Sequence, residues 1–86
     1  MTDNERTELE LYIDMLNSLI SDFYRFASKH NISLNENDEI GVYYWKVVKY
    51  ENHLRRTTSY EEVLAAKKNI AAIKERLAKL EADDND

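Results

Sequence analysis

The chain reads as an all-α fold, an antiparallel three-helix bundle, and three observations carry that reading. Apolar residues recur in steps of three and four over three separate stretches. Each stretch is preceded by Thr or Ser with Glu three residues later, the spacing of a capping box. Proline is absent and glycine occurs once, at Gly41, whereas sheets and long loops draw on both for their turns.

The first helix is expected over about residues 3–29. Thr2 and Glu5 have the spacing at which each side chain satisfies a free backbone N–H of the other. Leu9, Ile13, Leu16, Ile20, Phe23 and Ala27 then keep to one face, and Tyr12, Leu19 and Phe26 widen it. His30-Asn31-Ile32-Ser33 breaks the pattern.

The second helix is expected over about 36–56. Ser33 and Glu36 form a second capping-box spacing, with Asn35 and Asn37 as alternative caps. Glu36, Asp38 and Glu39 would lie in the first turn and Arg55 and Arg56 at the far end, each sign where the helix dipole favours it. The inward stripe is Ile40, Tyr43, Val47, Tyr50 and Leu54. After the turn Thr57-Thr58-Ser59, with Ser59 and Glu62 at a third capping-box spacing, the last helix is expected over about 60–81. Its stripe is Val63, Ala66, Ile70, Ile73, Leu77 and Leu80. Residues 82–86 place acids at a helix C-terminus, where the dipole disfavours them, and read as a disordered acidic tail. Short connections make neighbouring helices antiparallel. A dimer that completes the bundle is the alternative. Leu16, Ile20, Phe23, Val47, Ile70, Ile73 and Leu77, at the middle of the three stripes, are the expected core.

At 86 residues the chain is one domain, and a domain of this size buries only roughly 60–65% of the surface its unfolded chain exposes. Such thin cores often gain stability from a partner or a second copy. The formal charge of −5 argues against a non-specific phosphate binder, which is normally basic. Cysteine is absent, which removes disulfides, zinc-thiolate sites and cysteine nucleophiles and fits a reducing compartment. The first residues lack the basic start and apolar run of a signal peptide, and no apolar run approaches the roughly 18 residues of a membrane span. A cytoplasmic protein is expected, with no membrane partner.

Catalytic residues, a metal site and a cofactor are not expected, and the chain is read as a non-enzyme. His30 and His53 lack a second histidine or a carboxylate pair at ligand spacing. There is no glycine-rich phosphate loop. Glu61 and Glu62 are followed by Val63, Leu64 and Ala65, which leaves out the carboxylate cluster of the all-α nucleotide pyrophosphohydrolases.

The second helix is apolar nearly all round. Val42, Trp45 and Lys49 share a face separate from the inward stripe, and Tyr44 and Val48 share another. Such a helix is usually covered on more than one side, and tryptophan beside cations and tyrosines is the composition of a binding hot spot. Packing of Trp45 on the third helix or on a loop is the plainer reading. Lys46, Lys49, His53 and Arg56 follow at steps of three, four and three, a basic stripe on an acidic chain. A solvated face that balances the acidic first helix is the plainer reading of it. The candidate partner-binding residues are Val42, Trp45, Lys46, Lys49, His53 and Arg56.

Val48-Lys49-Tyr50, then Arg55-Arg56, then Tyr60-Glu61-Glu62-Val63 and Ala66-Lys67 resemble a small bacteriophage family labelled nucleotide-kinase-like. The spacing from Lys49 to the acidic pair agrees without a gap. The family's first arginine falls on His53 and its helical lysine on Ala65, two departures that put kinase activity in doubt. The resemblance runs from the second helix into the third and covers only about a third of the chain. It implies a phage protein connected with nucleotides, with Lys49, Tyr50, Arg55 and Arg56 as the carried-over residues. Three expectations stand together: a small protein-interaction module of phage or mobile-element type that binds a host protein or itself, a nucleotide-binding or nucleotide-modifying phage protein, and a nucleic-acid binder using the basic stripe.

Overall fold

The computed structural model describes residues 1–84. It consists of α1 (Asp3–Lys29), α2 (Glu39–Leu54) and α3 (Tyr60–Asp84), with each pair of helices in contact and no strand among the described residues. A helix of 27 residues is about 40 Å long, so α1 sets the long axis of a body measuring 44 × 24 × 17 Å.

The α1 start forms the expected reciprocal box. The Glu5 N–H donates to the Thr2 hydroxyl at 3.1 Å, and the Thr2 N–H donates to the Glu5 carboxylate at 2.9 Å. The helix stops in a Schellman turn. Asn31 takes a left-handed φ of 55°, the Ile32 N–H donates to the Ala27 carbonyl at 2.8 Å, and the Asn31 N–H reaches the Ser28 carbonyl at 3.4 Å. Asparagine tolerates this conformation better than most residues, which is why the chain turns here without glycine. Ile32 then folds back onto the core.

The α2 start differs from expectation by three residues. Ser33 and Glu36 do not cap it. Asn35 instead builds its own turn, its side-chain oxygen accepting from the Asn37 N–H at 2.9 Å, and Asp38 caps the helix by accepting from the Ile40 N–H at 3.0 Å. Short Asn and Asp side chains compete with helical hydrogen bonding in this way. At its other end α2 stops at Leu54, and Arg55 and Arg56 follow outside it.

The α3 junction is also handled by a different residue. The Ser59 N–H donates to the Thr57 hydroxyl at 3.3 Å, and that hydroxyl donates to the Glu62 carboxylate. Thr57 thus links Ser59 to Glu62, while Ser59 contributes its carbonyl, not its hydroxyl, to the Glu62 N–H at 3.2 Å. The helix runs on to Asp84, beyond the expected end near 81, so residues 82–84 of the expected acidic tail are helical. Residues 85 and 86 of that tail lie outside the described residues.

Buried apolar side chains from all three helices form one core, with Phe23, Leu16, Leu54, Ile70, Val47 and Val63 the largest fully enclosed. Of the seven expected core residues, Ile20 alone is half-buried, and Leu19 takes its place. The reason is that α1 meets both other helices, so its covered face is wider than one stripe. Val63, Ala66, Ile70, Ile73 and Leu77 of α3 are all buried, as its simple repeat predicts.

Polar clasps set the helix directions. Glu39 pairs with Arg76 at 2.8 Å, Asn69 donates to Tyr50 at 2.8 Å, and His53 meets Glu62 at 3.1 Å. Residue numbers fall along α3 as they rise along α2, so these two are antiparallel. Glu8 accepts hydrogen bonds from Tyr60 and Lys67, near the N-terminal ends of both α1 and α3, which run parallel. The topology is up-down-up. Lys67 and Tyr60 hold the Glu8 carboxyl below its ordinary pKa of 4.5. Burial pushes the neighbouring Tyr12 phenol up to about 12.

Candidate functional site

The α2–α3 seam does not close completely. Tyr43, Lys46, Lys49, Tyr50 and His53 of α2 face Asn69, Ala72 and Ile73 of α3 across an open groove of about 610 Å³. Helical periodicity places the α2 set on one side, because positions three and four apart are neighbours. The short side chain of Ala72 leaves room opposite, and the hydrogen bond from Asn69 to Tyr50 fixes one tyrosine ring in the wall.

The charged side chains lining this groove are the lysines Lys46 and Lys49, with the imidazole of His53 one turn beyond them. Lys46 has no acidic partner among the described residues. Lys49 lies 4.0 Å from Glu36, with both side chains about three-quarters exposed; a long contact between solvated groups contributes little and leaves the ammonium available. His53 is engaged by Glu62, whose carboxyl is held below its ordinary 4.5, first by the Thr57 hydroxyl and then by His53. Glu39, near the other end of α2, is likewise held down, chiefly by Arg76.

No family model, curated protein or solved structure matches the chain.

Of the six candidate residues, the structure brings Lys46, Lys49 and His53 together and places the others elsewhere. Trp45 is 39% exposed and lies outside the groove lining. Its indole N–H donates to the Leu34 carbonyl at 3.0 Å, and its ring meets Tyr44 edge-on at 5.2 Å. It pins the α1–α2 loop to α2, the loop packing weighed above as the plainer reading. Val42 is half-buried beside it in the helix, and Arg56 is exposed beyond the helix end. The residues carried over from the phage family also divide. Lys49 and Tyr50 line the groove; Arg55 binds Glu51, and neither it nor Arg56 is in the lining.

Sequence reasoning placed Tyr43 and Tyr50 on the inward stripe of the second helix, and both are half-buried, packed against the core and lining the groove wall. It did not find Asn69 and Ala72. Their one signal was position, since Asn69 and Ala72 each directly precede a core isoleucine, Ile70 and Ile73. Among the described residues no group of three His, Asp or Glu side chains is arranged to hold a metal ion, and no helix is long and apolar enough to cross a membrane.

Proposed function

We propose that the protein is a small interaction module that binds another protein through the α2–α3 groove and carries out no reaction of its own. The observation that supports this reading is the groove itself: an aromatic and aliphatic floor with a cationic rim on a chain of net charge −5. Apolar surface supplies affinity at such sites, and the rim charges select the partner and speed its arrival. The resemblance of the second and third helices to a phage family makes a bacterial host protein the proposed target.

The test is affinity capture from a bacterial lysate with the wild-type chain and with a Lys46→Glu/Lys49→Glu variant. A protein retained by the first and lost by the second, with the variant still helical by circular dichroism, supports the reading. Capture that ignores both substitutions refutes it.

A nucleotide ligand is the second reading, favoured by Lys49 and Tyr50 lying together in the groove. A nucleotide present at 100 times its Kd should add about 2.7 kcal/mol of stability. A thermal-shift panel of nucleotides therefore separates the two readings.

A further inference from the structure

We infer that the groove's occupant is an acidic, amphipathic helix of the partner protein, seated against α2 and α3 as a fourth helix. The inference rests on the interaction reading above and specifies the partner's chemistry.

Three observations carry it. The first is shape. From Tyr43 to His53 the α2 wall extends about 15 Å, or three helical turns, and the groove is open along a seam between two antiparallel helices. A third rod laid in such a seam is the packing by which helix bundles grow.

The second is the pattern of charge. Lys46, Lys49 and His53 stand at i, i+3 and i+7 along α2, so they are strung over about 10 Å rather than gathered at a point. A compact polyphosphate needs donors that converge, ideally with backbone N–H groups around them. A helix with Asp or Glu at matching intervals meets the row one carboxylate at a time, while its apolar face covers Tyr43, Tyr50 and the Ala72 gap.

The third is range. The whole chain is acidic, but charges more than about 8 Å away are largely screened at physiological ionic strength. A segment in the groove therefore responds to the charges beside it: Glu36 and Glu62 offset Lys49 and His53 in part, whereas Lys46 has no acid of its own to satisfy it among the described residues.

The experiment is a selection of peptides from a displayed library on the purified full chain. The library consists of helical peptides of about 15 residues, long enough to cover the groove. It has a constant apolar stripe and random residues at the flanking positions. Binders are counter-selected against Ala72→Trp, a substitution at an exposed position that fills the groove. The expected result is enrichment of Asp and Glu at i, i+3 or i+4, and i+7. The winners should bind at least about tenfold more weakly to Lys46→Glu/Lys49→Glu, and Lys-for-Glu versions of them should recover binding to that variant.

Absence of enrichment, a winning set without acids, or binding indifferent to both variants overturns the inference. So does tighter occupation of the groove by ATP, by a single-stranded oligonucleotide, or by a second copy of the chain in sedimentation. If the selection fails while capture of a cellular protein still depends on Lys46 and Lys49, the acidic-helix inference falls and the interaction reading stands. If neither depends on them, both fall.

Discussion

Gly41→Ala should destabilise the protein, although helix propensity alone predicts the opposite. Gly41 lies in the first turn of α2, and alanine in a helix is about 1 kcal/mol better than glycine. The surroundings reverse the sign. A Cβ on residue 41 would meet the Asn35 carbonyl oxygen at 1.7 Å and the Asn35 C and N atoms at 2.6 and 2.7 Å. These are backbone atoms, so no rotamer change relieves the contact, and the loop must retreat by about 1.3 Å to reach even 3.0 Å. Leu34 precedes Asn35, and its carbonyl accepts the Trp45 indole N–H at 3.0 Å. A shift of that size breaks this hydrogen bond, worth about 1 kcal/mol, and lifts Leu34 from the core edge where it packs. Overpacking adds about 1–3 kcal/mol. After subtracting the propensity gain, the net loss is about 2 kcal/mol, or about 8–16 °C in Tm for a domain of this size. Thermal melting by circular dichroism reads the stability. Trp45 is the only tryptophan, so its emission reports loop release directly and should move to the red. Asn52→Ala, at an exposed position of the same helix, serves as the propensity control and should raise Tm slightly. If Gly41→Ala melts at or above wild type with unchanged emission, the close approach of loop and helix is not what this glycine serves.

Three further outcomes are expected. Asn31→Gly should hold or slightly raise Tm, whereas Asn31→Ala should cost about 1 kcal/mol at its φ of 55°; equal melting of the two variants would remove the left-handed turn from the account. Thr57→Val should cost about 1 kcal/mol of stability, more than Ser59→Ala does, because the Thr57 hydroxyl serves both the Ser59 N–H and Glu62; the reverse order in thermal melting would return the cap to Ser59. The Glu8, Glu39 and Glu62 carboxyls are held below their ordinary 4.5 in the folded chain by Lys67, Arg76 and Thr57 respectively. The unfolded chain then takes up protons first, so this stability is fully present above the ordinary carboxylate pKa and is lost as pH falls through the folded values. Tm should fall below about pH 4.5, with a shallower decline in Glu39→Gln; parallel curves for the two proteins would count against the Glu39–Arg76 pair.

Much of the fold was legible because it is local. The Thr2–Glu5 box, the α1 span and the Val63-to-Leu77 stripe involve residues three and four apart, which the helix itself brings together. The break at His30–Ser33 was legible too, but the left-handed turn at Asn31 that makes it was seen only in the structure. The errors arose where two local signals competed. Ser33, Asn35, Asn37 and Asp38 all suit a cap, and Asp38 won because Asn35 was drawn into its own turn and into contact with Gly41. Leu19 displaced Ile20 because α1 has two neighbours rather than one.

The candidate site was half legible. Lys46, Lys49 and His53 share a face by helical geometry alone, so their alignment could be read from spacing. What they face could not. Asn69 and Ala72 reach the groove from another helix, and Trp45 spends its indole N–H on a carbonyl eleven positions earlier in the chain. By itself, then, the sequence determined three helices, their inward stripes and a cationic row on the second, because backbone hydrogen bonds four residues apart dictate which side chains align. The tertiary structure decided how each helix is rotated about its axis. That rotation depends on the joint fit of all three surfaces and on the close contact at Gly41, and it turned Trp45 onto the loop and left the α2–α3 seam open beside Ala72.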